Sequence, residues 1–281
     1  MSARPILLAC LIWLAAPPSP GEAHEFWLAP SAYVAGPGRA VEIRALAGTG
    51  FRGELKPWSP AHCVRFIAKT ARPVDLTLAA SPGDLAWARF AAADAGGAML
   101  AFESGFTPIE LPAAQFNAYL EDEGLDGPLA GRRRGGSGAL PGRERYRRAA
   151  KVWLKGNADD RATSAVGLPL EIVPFSVPGA QGGLRVRVLW NGRPLPGALV
   201  KAWRAPLGAD GAITDAATRD SIGAAWIGRT DARGEVSVPL ALPGEWLLSV
   251  VHMEPCPERS EADWESTWSS LTFERAGTVS Q

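Results

Sequence analysis

Runs of alternating apolar and polar residues, too short for helices and each closed by glycine or proline, constrain this chain more than any other feature. Residues 40–45 set Val41, Ile43 and Ala45 against Ala40, Glu42 and Arg44, and residues 64–68, 74–78, 85–90 and 99–103 follow as further short runs. A period of two buries one face of a strand, whereas a helix needs apolar residues three and four apart over ten or more positions. The 31 Gly and 24 Pro mark the turns between them. From residue 184 the pattern is clearer still. Leu184, Val186, Val188 and Trp190 alternate with Arg185, Arg187 and Leu189, Asn191-Gly192 turns the chain, and residues 197–203 begin the next strand. Turns at residues 231–234 and at Pro243-Gly244 lead into residues 235–240 and 246–252. The expected fold is mainly β, with two β-sandwich domains and one short connecting helix.

That helix is expected within residues 111–125. Pro112 suits a first helical position, Phe116, Tyr119 and Leu120 line one face with Ala113, and Gly124 ends it. Residues 127–142 are rich in Gly and Arg and read as a flexible loop. Seven arginines stand against Glu144 alone between Arg132 and Arg148, a charge run that either is solvated or faces anionic lipid or an acidic partner. Residues 145–154 have a helical composition, yet Tyr146, Val152 and Leu154 also fit alternation; we read them as a strand. The expected organisation is residues 24–107 as the first sandwich, 108–181 as helix, basic loop and connector, 182–275 as the second sandwich and 276–281 as a tail.

Residues 1–23 are set apart as a secretory signal peptide. Arg4 provides a positive start, residues 6–16 an apolar stretch, and Pro17, Pro18 and Pro20 break it before the small-residue site at Gly21 and Ala23. Cys10 lies too early in the apolar stretch for a lipoprotein site. No later stretch reaches spanning length, so the processed chain is expected in the periplasm with no stable membrane insertion. An apolar content of 47% with 29 basic and 29 acidic residues fits a globular chain and provides no global field for nucleic acid.

Cleavage after Ala23 makes His24 the first residue. Its free amine and ring Nδ1 can close a six-membered chelate on one metal ion, and a second imidazole would complete a three-nitrogen brace. The competing reading is a solvated chain end.

The phrases NGRPLPGALVKAW, TDARGEVSVPL and PGEWLLSV resemble the transthyretin-like or carboxypeptidase-regulatory-like sandwich, an Ig-like β architecture. With AHEFWLAP at the processed start, FNAYLEDEGL, GRERYRRAAKVWL, VGLPLEIVP, VHMEP and ADWESTWSSLTFE, nearly the whole processed chain resembles an exported bacterial family of unknown function. Its members are commonly regarded as periplasmic components of cobalt or nickel uptake. The resemblance implies a divalent transition metal as cargo, and a membrane metal transporter subunit as partner.

Soft ligands are few. Outside the leader the histidines are His24, His62 and His252 and the cysteines Cys63 and Cys256, and Met253 next to His252 adds a thioether. In an oxidising compartment Cys63 and Cys256 are expected to pair, which would staple the sandwiches and bring His62 near His252; two buried free thiols are the alternative. His252 closes an apolar strand and reads either as a hydrogen-bonded edge residue or, with the resemblance, as the second metal ligand; His62 is the weaker candidate. Amine and imidazole donors suit Ni(II) or Cu(II) and accept Co(II) or Zn(II). The acidic stretch at Glu254, Glu258, Glu261, Asp263 and Glu265 either is solvated or concentrates cations.

No G-x-S-x-G elbow, P-loop or HExxH motif is present, so the chain is not expected to be an enzyme. Trp190, Trp203, Trp226 and Trp246 at strand positions read as core rather than as a sugar platform. The rival readings are a metal-free structural or interaction module of the envelope and, behind it, a copper protein with a histidine brace.

Overall fold

The computed structural model describes residues 25–178, 182–208 and 213–277. The expected leader, residues 1–23, and His24 lie outside the described residues. In chain order the first half contributes β1 (Glu25–Pro30), β2 (Val41–Thr49), β3 (Arg52–Leu55), β4 (Cys63–Lys69), β5 (Val74–Asp75), β6 (Ala86–Phe90), β7 (Ala98–Ser104) and β8 (Thr107–Leu111). Helices α1 (Ala113–Asp122) and α2 (Asp126–Arg134) follow, then β9 (Gly142–Leu154), α3 (Asp159–Thr163) and β10 (Leu170–Pro174). The rest is β11 (Leu184–Trp190), β12 (Arg193–Pro194), β13 (Leu199–Ala205), β14 (Trp226–Arg229), β15 (Glu235–Val238), β16 (Gly244–Pro255) and β17 (Trp264–Arg275).

These strands make a mainly β, sandwich-type structure around one large sheet. Its order is β14-β13-β16-β17-β9-β7-β4-β5, with β8 also paired to β9. All its pairs are antiparallel except β17 with β9, which run parallel over residues 264–272 and 144–152. The small sheet β1-β2-β3, with β6 on β2, covers one face, and β10-β11-β12, with β15 on β11, covers the other.

Strand β9 shows why residues 145–154 resisted a simple alternation. Ala150, Val152 and Leu154 belong to the first core with Leu100, Phe102 and Trp87, while Trp153 belongs to the second with Met99, Leu248 and Leu271. A strand buried on both faces carries apolar residues at successive positions. Lys151 shares the second face, fully buried, and donates from Nζ to Glu171 Oε1 at 2.7 Å. Glu171 also accepts the amides of Val166, Gly167 and Leu168, so it ties that loop to the sheet.

Residues 126–134 form a helix where a flexible loop is expected. Asp126 in the first turn and Arg132, Arg133 and Arg134 in the last complement the helix dipole. Arg132 is buried rather than solvated: its Nε donates to Asn117 Oδ1 at 2.9 Å, its Nη2 to the Leu140 carbonyl at 2.6 Å, and its guanidinium lies 4.8 Å from the Phe116 ring centre. The helices pack through Phe116, Leu120, Leu125 and Leu129 onto Val251, Met253 and Trp268. They therefore cover the same sheet face as β1, next to it. No helix among the described residues is long and apolar enough to cross a membrane.

The expected Cys63–Cys256 bridge is absent; both are free thiols. Cys63 opens β4 and packs against the first core, whereas Cys256 follows β16, four places away in the sheet. At about 4.8 Å per strand that is roughly 19 Å, against the ~4.4–6.8 Å between Cα atoms that a disulfide spans. Burial pushes the Cys63 thiol up to about 11.

Candidate functional site

Where β1, the end of α1 and β13 meet, they leave a cavity of about 680 Å³. Glu25, the first residue of β1, and Glu123, which ends α1, supply carboxylates to its wall, and Lys201 of β13 supplies an ammonium. Tyr119, Trp203 and Ile222 form apolar surfaces around them. Local sequence positions each group. Lys201 and Trp203 alternate with Val200 and Ala202, which face the second core, so the cavity side of β13 carries the cation. The β2–β3 turn closes one rim at Gly50, whose positive φ of 62° and approach to Ser221 leave no room for a side chain.

The electrostatics are those of charges held away from water. Lys201 Nζ donates to Glu123 Oε1 at 2.6 Å. Burial raises the Glu123 carboxyl above its ordinary range, and Lys201 opposes the rise. Burial likewise pushes Glu25 up to about 7; the nearby Glu123 carboxylate adds to this, while the Glu25 amide, Lys201 and Arg148 work against it. Glu25 is 5% exposed.

A second buried carboxylate lies behind Tyr119. The Tyr119 ring stacks on Trp268, and its hydroxyl donates to Glu144 Oε1 at 3.2 Å. Ser266 Oγ donates to the same oxygen, while Glu144 Oε2 has no hydrogen-bond partner. Burial pushes Glu144 up to about 7, only partly offset by Ser266, Tyr119 and Arg148. Arg148 stacks over Phe26 and Tyr146, and its charge acts on both Glu25 and Glu144.

The two described histidines, His62 and His252, do not converge. His252 lies between Val251 and Met253 on β16; those two face the helices, so the imidazole faces the opposite side. There it packs on Trp190 with ring centres 4.6 Å apart, and its Nε2 is 3.2 Å from Glu254 Oε1. The cavity, and Glu25 with it, is on the helix side. His62 is exposed in the turn Pro60–His62 before β4, four strand places from β16. A gap of roughly 19 Å is too wide for two imidazoles with bonds of about 2 Å to share an ion. His24 lies outside the described residues, but it is joined directly to Glu25. Among the described residues no three His, Cys, Asp or Glu side chains gather to hold an ion.

The two charged stretches serve each other. Arg143 pairs with Asp263 at 2.9 Å, and Arg145 reaches Glu261 and Glu265 at 2.7 Å each and also pairs with Glu258. Parallel pairing of β9 with β17 brings these side chains into register, Arg145 opposite Glu265. Tertiary pairing thus ties Arg143 and Arg145 of the basic run to Glu258, Glu261, Asp263 and Glu265 of the acidic one.

Sequence reasoning passed over Glu25, Tyr119, Glu123 and Lys201. A carboxylate opening the otherwise apolar run Glu25–Pro30 was the available signal, because an ionisable group is rarely buried without a partner. No curated protein matches this chain. A family model described as a domain of unknown function (DUF4198) matches residues 21–254, most of the chain, and the chain therefore belongs to that family.

Proposed function

We propose that the chain is exported through a cleaved leader and acts in the periplasm as a carrier of a divalent transition metal. Its cargo is nickel or cobalt, passed to a membrane transporter subunit and not chemically transformed. The amine and Nδ1 of His24 form the chelate that grips the ion. The order of the chain at the cavity supports this reading: Glu25 lines the wall as the first residue of β1, so cleavage after Ala23 leaves the new amine one residue from a buried carboxylate. His252 and His62 stand outside the centre.

Calorimetric titration of protein shown by mass spectrometry to begin at His24 tests the reading. Micromolar or tighter binding of Ni(II) or Co(II), lost in His24→Ala or when one residue is added before His24, is the expected result. No binding of Ni(II), Co(II), Cu(II) or Zn(II) would sink it and leave the metal-free envelope module.

A further inference from the structure

Among the described residues Lys151, Arg161 and Arg132 are the buried basic side chains. Lys151 is matched by Glu171 at 2.7 Å and Arg161 by Asp94 at 2.6 Å. The close partners of Arg132, which is 2% exposed, are uncharged: the Asn117 side-chain oxygen, the Leu140 carbonyl and the Phe116 ring. Asp263 acts on its charge without pairing with it, because both oxygens of that carboxylate are taken by Arg143. A buried cation without a counter-charge beside it is costly, so what it faces matters. Arg132 lines a cavity of about 720 Å³ where the end of α2, the α2–β9 loop and the start of β17 meet. That volume lies in the range of small-molecule sites, ~300–1,000 Å³. The indole of Trp264 forms another part of the wall, packed on α2 so closely that a Cβ added at Gly131 would lie 3.3 Å from its Cη2. Leu140 and Pro141 add an apolar rim, and Leu140 is 58% exposed.

We infer that this cavity binds a small aromatic carboxylate, its anion on the Arg132 guanidinium and its ring against Trp264 and Leu140. Guanidinium is the side chain suited to a planar carboxylate, and a charge-assisted hydrogen bond is among the stronger ones available to a ligand. Nε and Nη2 hold the fork in place on Asn117 and Leu140, so the ligand meets a preset donor, at Nη1, and orders little on binding. The indole offers a flat apolar surface on which an aromatic ring stacks. Glu110 and Asp263 stand in the same wall and oppose a second negative charge, so a monoanion suits the site better than a phosphate dianion. None of Glu25, Glu123 and Lys201 lines this cavity, and the inference does not depend on the carrier reading.

The test titrates the processed protein with phenylacetate, phenylacetamide and phenyl phosphate. Calorimetry reads the affinity, and the indole N–H resonance of Trp264, assigned by its loss in Trp264→Phe, reads the location. Phenylacetate is expected to bind with millimolar or tighter affinity and to shift that resonance, and the amide, of the same shape without the charge, to bind at least tenfold more weakly. Arg132→Met keeps an apolar stem against Phe116 and should abolish the preference for the acid over the amide. Leu140→Glu sets a competing carboxylate on the exposed rim without touching the core, and should weaken phenylacetate at least tenfold; it decides the matter if Arg132→Met fails to fold. No binding of phenylacetate, or acid and amide bound alike, overturns the inference. So does binding that leaves the Trp264 resonance in place, a preference intact in Arg132→Met, or an affinity in Leu140→Glu within twofold of wild type. Phenyl phosphate bound more tightly than phenylacetate would overturn the choice of a monoanion.

Discussion

Replacing Lys151 by Met removes the ammonium but keeps most of the volume of the side chain. Lys151 is fully buried in the middle of β9, opposite Ala101 on one side and Leu271 on the other, and Glu171 is 1% exposed. The variant leaves a buried carboxylate with the amides of Val166, Gly167 and Leu168 at 2.8, 2.9 and 3.1 Å as its remaining partners. Breaking a buried pair in this way costs about 3–5 kcal/mol, and the three amides hold the figure near the lower end. At ~2–4 °C per kcal/mol for a chain of this size, the thermal midpoint should fall by about 6–12 °C. Glu171→Gln should cost more, because the ammonium is stranded and part of the amide cradle meets an NH₂ group instead of an acceptor. Combining the two should cost at least ~2 kcal/mol less than the sum of the singles, since neither charge is left alone. Circular dichroism melts of the processed protein at one pH and salt concentration supply all four corners. A fall under 2 °C for Lys151→Met, or additive singles, would refute the claim that this pair carries opposed buried charges. The titration directions agree with it: burial lowers Lys151, whereas Lys151 and the loop amides hold Glu171 below its ordinary range despite burial.

Three further outcomes follow from the same geometry. Glu144, held at about 7 in the folded chain against an ordinary 4.5, binds more protons folded than unfolded between those values. Stability from this group is therefore full below pH 4.5 and lost as pH rises through 7, by about 3 kcal/mol at ~1.36 kcal/mol per tenfold. Urea midpoints of Glu144→Gln and wild type between pH 4.5 and 8 should diverge in the variant's favour as pH rises; parallel curves would count against it. Gly142→Ala sets a methyl 2.2 Å from the buried Phe116 ring and should cost about 1–3 kcal/mol or more, read as a melting shift; an unchanged midpoint would mean that α1 moves freely on the sheet. Thiol titration of the denatured, unreduced processed chain should count two free cysteines, with Cys63 slow to alkylate in the native state because its thiol is held near 11; recovery of thiols only after reductant would restore the bridge.

Sequence alone determined the local chemistry: the strands, several of their turns and the first helix. Asn191 and Gly192, both at positive φ, form the two-residue turn joining β11 to β12, and α1 begins just after Pro112. Such signals are readable because period, turn residues and caps act over a few positions. Even α2 carried a usable signal, an acid in its first turn and arginines in its last, which its glycines obscured. Tertiary structure decided what no local pattern holds. Parallel pairing of β9 with β17 turned a basic run and an acidic run, more than a hundred residues apart, into partners. Strand order separated Cys63 from Cys256, and the odd-even alternation of β16 turned His252 away from the side of the sheet that holds Glu25. The carboxylates of Glu25 and Glu123 share a cavity with Lys201 because β1, α1 and β13 cross over one face of a sheet. That convergence depends on long-range packing, so three separated stretches of sequence contain it only jointly.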